Sequence, residues 1–313
     1  MELDVARFWY RRTPLAYVAA PLALVAYCLY WARRVVYRMG LRRVTRLDAA
    51  VVIVGNITAG GTGKTPLVAW LAEALKRAGR APGIVCRSYR AGARVPQHVH
   101  ATSDPRLCGD EAVLLARLQS APVWSGPNRV ATALALRRAH PDVDVVLCDD
   151  GLQHYALARD CEIAVVDAMR GFGNGMLLPA GPLREPRSRL RSVDAVVTHE
   201  DSQVAPSGKR FEMRLAGATF CSLREPSRTA SADRFSGKRV AAIAGIGNPE
   251  RFFAHLRHLG IRFSAHPFPD HHRFEAGDLH ALEAEIILMT EKDAINALRS
   301  PIIACGYCRS LPK

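Results

Sequence analysis

The segment Gly55-Asn56-Ile57-Thr58-Ala59-Gly60-Gly61-Thr62-Gly63-Lys64-Thr65 follows an unbroken apolar run, 49–54. It opens a stretch in which Leu67, Trp70, Leu71, Ala74 and Leu75 recur at helical spacing until Gly79. A glycine-rich turn between a buried strand and a helix is the setting a phosphate loop needs. Glycines let backbone N–H groups turn inward around phosphate oxygens, and the helix N-terminus adds its dipole. Thr58, Ala59, Gly60, Gly61, Thr62 and Gly63 would form the cradle. Lys64 would reach the β- and γ-phosphates, and Thr65 would hold Mg²⁺. The strict pattern places Gly five positions before Gly63; this chain has Thr58 there, so the loop is a variant.

The rest of the chain keeps the same rhythm. Apolar strand runs at 82–86, 122–125, 143–148, 162–167 and 193–198 alternate with helical patterns at 110–119 and 127–139. Strand–helix alternation predicts an α/β fold: a P-loop NTPase-like parallel sheet with helices on both faces, spanning 47–200. Residues 201–237, rich in Ser, Arg and Pro, read as a connector. A smaller α/β domain follows over 238–313, with strands at 240–246, 263–266 and 286–289 and helices at 249–259, 276–284 and 291–299.

Several polar groups sit where this architecture gathers chemistry. The apolar strand ending in Cys148-Asp149-Asp150-Gly151-Leu152-Gln153-His154 delivers two carboxylates at its C-terminal end, beside the phosphate loop. A carboxylate that organises Mg²⁺ belongs there, so Asp149 and Asp150 are candidate metal and catalytic residues. Gln153 and His154 are placed to orient the metal shell or the substrate. Gly109-Asp110-Glu111 opens a helix, either as a start favoured by the dipole or as a carboxylate aimed into the cleft. Pro269-Asp270-His271-His272 follows a strand of the second domain. Two adjacent His point in different directions, so a His–Asp pairing across the interdomain cleft is a better reading than a two-His metal site. The Gly/Pro-rich stretch 170–186 reads as a long ordered loop, in which Arg170 and Arg184 are suited to clamp anionic groups.

Charge separates the N-terminus from the rest. Residues 1–46 hold nine Arg against Glu2 and Asp4, half of the chain's net +14. So uneven a distribution argues against a general nucleic-acid surface and for a local basic device. Residues 13–32 carry no charge, about the length of a bilayer-spanning helix, and Arg11, Arg12, Arg33 and Arg34 bracket them. Pro21 would kink such a helix, so a helix lying in the interface competes with a true span. The segment 1–46 is therefore read as a membrane anchor, with no removed signal peptide. The eight Cys are scattered through apolar runs, which suits buried thiols in a reducing compartment. Cys305 and Cys308 have redox or metal spacing but lack a second matching pair.

These pieces occur together and in one order, and the chain resembles the tetraacyldisaccharide 4'-kinases, the lipid A 4'-kinases of Gram-negative bacteria. The likeness runs from the basic apolar N-terminus through the phosphate loop, Gly-Asp-Glu, Asp-Asp-Gly-Leu-Gln-His-Tyr and Arg-Gly-Phe-Gly-Asn-Gly. It continues through Leu-Leu-Pro-Ala-Gly-Pro-Leu-Arg-Glu-Pro, Ala-Gly-Ile-Gly-Asn-Pro-Glu-Arg-Phe-Phe, Phe-Pro-Asp-His-His and Met-Thr-Glu-Lys-Asp-Ala. The variant first position of the phosphate loop also looks like the family's. The resemblance implies transfer of the γ-phosphoryl of ATP, with Mg²⁺, to the 4'-hydroxyl of a tetraacyldisaccharide 1-phosphate, giving lipid IVA. It implies work at the cytoplasmic face of the inner membrane, against anionic phospholipid, with no nucleic acid and no obligate protein partner. It places Lys64 and Thr65 at the ATP phosphates and Mg²⁺, and Asp149 and Asp150 at the phosphoryl centre. It pairs Asp110 with His271 as the unit that activates the hydroxyl, and puts Arg129, Gln153 and Glu185 near the site. One departure is visible: where the family usually has Ser-Arg-Gly-Tyr-Gly, this chain has Cys86-Arg87-Ser88-Tyr89-Arg90. Two glycines have become Ser and Arg, so the backbone cannot turn there in the same way. The alternative reading is a MinD-like membrane-associated ATPase switch; Ala59, standing where that loop has its first Lys, counts against it.

Overall fold

The structure, a computed structural model, describes residues 5–11, 13–88, 92–118, 120–199, 209–223, 225, 227–297, 305–308 and 311–312. The chain opens with three helices, α1 (Val5–Tyr10), α2 (Pro14–Val18) and α3 (Ala20–Arg38). Pro14 and Pro21 each fall in a first helical turn, where the missing N–H has no partner to lose. Pro21 thus starts a new helix where the sequence reading put a kink. No helix among the described residues is long and apolar enough to cross a membrane.

The large domain then runs β1 (Ala50–Gly55), α4 (Lys64–Arg77), β2 (Pro82–Arg87), β3 (Gln97–Val99), α5 (Pro105–Cys108), α6 (Asp110–Arg117), β4 (Val123–Gly126), α7 (Arg129–Ala139), β5 (Val145–Asp149), β6 (Cys161–Val166), β7 (Ala195–His199) and β8 (Arg210–Met213). Its eight strands are ordered β3-β4-β2-β5-β1-β6-β7-β8. All neighbours are parallel except β3, which pairs antiparallel with β4 at one edge. The central strands are apolar throughout because both faces are covered. Val51, Ile53 and Val146 belong to one buried cluster, and Val54, Leu147 and Val165 to the cluster on the other face with Leu67, Val68 and Ala72 of α4.

The stretch 201–237 gives strands to both sheets. β8 extends the large one, while β10 (Phe220–Ser222) and β11 (Thr229–Ala230) join the small one, and β9 (Leu215–Ala216) lies between them in the chain. The small domain continues with β12 (Val240–Ala244), α8 (Pro249–His258), β13 (Ser264–Pro267), α9 (Ala276–His280), β14 (Ile286–Thr290), α10 (Glu291–Ala297), β15 (Cys305–Cys308) and β16 (Leu311–Pro312). Its sheet is ordered β11-β10-β15-β14-β12-β13, parallel from β15 through β13. β9 and β16 form a separate antiparallel pair. The chain is therefore a mixed α/β protein with a large, mostly parallel sheet and a smaller C-terminal one. The predicted helix at 276–284 ends early: Glu275 and Asp278 make a capping box that fixes its start, and only Ala276–His280 is helical.

Candidate functional site

β1 ends at Gly55 and α4 begins at Lys64, and the loop between them is shaped by its glycines. Gly60 and Gly63 are left-handed, with φ of 100° and 80°. A side chain on Gly63 would also strike His199 Nε2, 2.3 Å from the added carbon. Asn56 is fully buried and its Nδ2 donates to the Gly60 carbonyl at 3.3 Å, closing the turn. The first half of the loop is clipped to the segment 182–185. Ala59 N donates to Pro182 O at 2.7 Å and Arg184 N to Ile57 O at 2.7 Å. Thr58 itself forms an antiparallel bridge with Leu183. That extended pairing explains the variant position: the backbone at 58 does not need the freedom of glycine. Thr62 Oγ1 and Asn56 Oδ1 are buried with no partner.

The acidic pair sits directly above. Asp149, last residue of β5, is 5% exposed, and its Oδ2 accepts from Thr65 Oγ1 at 3.1 Å while Oδ1 is buried without a partner. Asp150 is left-handed, with φ 53°. Arg129 holds that turn from beneath, its Nη2 donating to the carbonyls of Asp149 at 2.5 Å and Asp150 at 2.6 Å. The Asp150 carboxylate meets Arg184 Nη1 at 2.9 Å and Lys64 Nζ at 3.5 Å. Burial and the neighbouring Asp150 raise the Asp149 pKa against the pull of Lys64. Burial acts on Asp150 too, but Lys64 and then Arg184 hold it well below the carboxylate range. One carboxylate is thus neutralised by its cations, and the other is short of one.

The second domain closes the site from across the cleft. The turn after β13 brings His271, left-handed at φ 63°, to Asp110 at the start of α6. His271 Nδ1 lies 2.8 Å from Asp110 Oδ2, so Nδ1–H donates to the carboxylate. Strained backbone at Asp150 and His271 falls on two candidate site residues, as stored strain commonly does. The Asp110 hydrogen bond raises the His271 pKa, with burial and Lys292 opposing it. Asp110 is held far below its ordinary value, because its bonds to His271 and Glu111 and then the charge of Lys292 outweigh burial. His272 turns the other way, to Asp278 of α9 at 2.9 Å.

A second interdomain contact reaches the phosphate loop itself. Asn248 Nδ2 donates to Asp167 Oδ2 at 3.2 Å, and Arg251 forms an ion pair with Asp167. Arg251 Nη1 also lies 3.4 Å from His199 Nε2, which is 2.9 Å from the Thr62 carbonyl. Burial and then Arg251 lower His199 to about 4, so the ring is neutral at physiological pH and its Nε2–H donates to Thr62. A Cβ on Gly247 would come within 2.6 Å of Gly61 N. Gly247→Ala should therefore force this contact apart at a cost of about 1–3 kcal/mol. The expected result is a raised KM for ATP, read by initial rates over a nucleotide titration, with the melting temperature little changed.

The remaining sequence-predicted residues divide. Gln153 supports the loop, its Nε2 donating to Asn56 O at 3.0 Å. His154 lines a cavity of about 140 Å³ with Asn128 and Arg129, and burial followed by the charges of Arg129, Arg87 and Arg33 lowers it to about 3. Arg170 reaches the loop, 3.2 Å from a carbon placed on Gly60, and stacks over Tyr10. Glu185 is 1% exposed and accepts from Tyr155 Oη at 2.7 Å and pairs with Arg189 at 3.3 Å. Ser88 is buried, while Tyr89 and Arg90 lie outside the described residues. Cys305 and Cys308 lie on β15, but their side chains lie outside the described ones. Sequence reasoning did not single out Lys292, Asp167, His199 or Arg251. All four are brought in by chain crossings that no local pattern announces, although Lys292 and Arg251 fall inside quoted motifs.

Comparison with known proteins identifies the family. The family model for tetraacyldisaccharide-1-P 4'-kinase matches residues 15–305. A tetraacyldisaccharide 4'-kinase from Azoarcus sp. (strain BH72) is 49% identical over 291 residues, covering 92% of this chain and 85% of its own. One from Nitrosococcus oceani is 46% identical over 304 residues, covering 94% and 86%. The solved "apo" form of LpxK from Aquifex aeolicus in complex with ATP superposes with a TM-score of 0.80 at 27% identity, covering 96% of this chain and 95% of that one. With the match running from the N-terminal helices through the second sheet, the chain belongs to the tetraacyldisaccharide 4'-kinase family.

Proposed function

We propose that this protein transfers the γ-phosphoryl group of ATP to the 4'-hydroxyl of a tetraacyldisaccharide 1-phosphate, the lipid A 4'-kinase reaction. The observation that carries the reading is convergence. A phosphate loop with its acidic pair and the Asp110–His271 pair approach one another across Gly247, where an added Cβ would lie 2.6 Å from Gly61 N and 3.5 Å from Asp270 Oδ2. Residues 47–200 act as a P-loop NTPase-like kinase domain and 238–313 as the domain that completes the cleft.

Phosphoryl transfer depends on positioning and charge more than on covalent chemistry. The backbone N–H groups of 60–64 cradle the phosphates, and Lys64 leaves Asp150 to meet them. The buried, partnerless Asp149 Oδ1 and the neighbouring Thr65 hydroxyl fit a small hard cation, so these two residues would hold Mg²⁺. Bound there, Mg²⁺ supplies charge neutralisation at the phosphates. Arg184 holds Asp150 beside the loop. The Asp110–His271 pair takes the proton of the acceptor hydroxyl as its oxygen forms the new P–O bond. The bond to the β-phosphate oxygen breaks, and ADP leaves with that electron pair. Closure of the second domain excludes water, the competing acceptor.

The substrate's acyl chains keep it in a bilayer, and the N-terminal helices are built to meet one. Leu22, Leu24 and Leu29 of α3 are each more than 60% exposed, with Arg33, Arg34 and Arg38 on the last turns. We place this segment in the interface of the cytoplasmic leaflet, where each Arg gains about 1 kcal/mol from anionic lipid. The protein should co-sediment with vesicles containing phosphatidylglycerol. Leu22→Asp with Leu29→Asp should release it into the supernatant, and full retention would sink the docking surface. The kinase reading is tested by ATP-dependent labelling of a tetraacyldisaccharide 1-phosphate in mixed micelles. ATP hydrolysis at the same rate without that lipid would instead favour a nucleotide switch.

A further inference from the structure

Lys292 stands at the first turn of α10, on the second domain, yet its ammonium faces the first. It lies 3.1 Å from Glu111 Oε1 and 3.7 Å from Asp110 Oδ2, both on α6. It lies 3.5 Å from Asp270 Oδ1 and 3.4 Å from His271 Nε2, both on its own domain. Asp110, Glu111 and His271 offer oxygen and nitrogen atoms within 4.8 Å of one another, spacing that a metal ion would accept. The ammonium already lies among them. Burial works against a charged lysine here, but Glu111, Asp110 and Asp270 raise Lys292 well above its ordinary pKa. It therefore remains a cation throughout the physiological range.

An imidazole has one proton to place when neutral. Nδ1 faces a carboxylate that only accepts, and Nε2 faces an ammonium that only donates. We propose that Lys292 is a positioning residue of the hydroxyl-activating pair: it fixes His271 as the tautomer protonated at Nδ1 and ties the second domain to α6 through Glu111. This rests on the kinase reading of the Asp110–His271 pair, but it concerns a residue that reading does not use. The groups facing His271 are Asp110 and Glu111 from α6, Asp270 from its own turn and Lys292 from α10. Among these Lys292 carries the positive charge, and it opposes protonation of the ring and of the carboxylates alike.

The consequence is a pH signature. In Lys292→Met, His271, Asp110 and Glu111 should titrate at higher pH, since the Lys292 charge lowers all three. The acidic limb of kcat should move up by about one unit, a roughly tenfold loss at fixed pH on that limb. Lys292→Arg keeps the charge but not the compact ammonium, so its limb should stay near that of the unsubstituted enzyme while kcat falls. A Met variant whose melting temperature drops while its limb stays put would overturn the proposal, since that is what a purely structural lysine predicts. Should the Met variant fail to fold, the unsubstituted protein still decides. Imidazole ¹⁵N shifts at a pH above the ring's titration should show His271 protonated at Nδ1 and bare at Nε2, and the reverse would refute the assignment. The kinase reading stands or falls separately, on lipid phosphorylation by the unsubstituted enzyme.

Discussion

Lys64→Ala should lower kcat for lipid phosphorylation by about 10²–10³-fold, the usual consequence of removing one preorganised donor from a developing phosphoryl charge. Two losses combine. The first is the ammonium at the head of α4, while the nearby Arg184 is engaged with Asp150. The second is indirect. Lys64 is the strongest pull holding Asp150 ionised, and it opposes the upward shift of Asp149. Without it, the buried acidic pair shifts toward protonation and binds a divalent cation less well. The variant should therefore need more Mg²⁺ for half-maximal rate, which a Mg²⁺ titration at saturating ATP would read out. A variant that keeps more than a tenth of the original rate would contradict the assignment of the phosphate loop.

His271→Ala should cost about 10²–10⁴-fold in kcat, with KM for ATP nearly unchanged, because general base catalysis acts at the acceptor and not at the nucleotide. Asp110→Asn should behave alike, and the double substitution should be little worse than either, as expected for groups acting as one unit. The pH dependence has a definite sign. His271 is raised above its ordinary value by Asp110, so activity should fall as pH drops through that raised value. Stability runs the other way. A histidine whose folded pKa exceeds the unfolded one stabilises the fold fully below the unfolded value, and the contribution fades as pH rises through the folded value. The melting-temperature gap between the unsubstituted protein and His271→Ala should therefore be widest on the acidic side, where the enzyme is slowest. A gap that widens with rising pH would refute the pairing.

Most of the large domain was legible because its signals are local. The runs at 82–86, 122–125 and 143–148 became β2, β4 and β5 within about two residues, since a strand buried on both faces writes itself as a continuous apolar stretch. β3 escaped because three residues at an antiparallel edge carry no such run. β8, β10 and β11 escaped because they are two to four residues long and take their order from their neighbours. The placement of the candidate site was legible where the pattern is local too: Lys64 and Thr65 at a helix start, Asp149 and Asp150 at a strand end. The Asp110–His271 pairing spans 161 residues, and the expectation of it came from the cleft and the resemblance together. Lys292 and the Asp167–Arg251–His199 contacts were invisible because each side chain is ordinary by itself. Glu185, a polar residue within a site motif, makes its contacts in a buried network with Tyr155 and Arg189.

β15 lies between β10 and β14, although it follows both in the chain. The small sheet cannot close until residue 308 has emerged from the ribosome, whereas the five strands at the centre of the large sheet are complete by residue 166. During synthesis the large sheet with its phosphate loop would then form before the small sheet that faces it. On the kinase reading, that nascent half would present its phosphate loop before His271 is in place, so the order of translation itself would delay turnover until the small sheet closes.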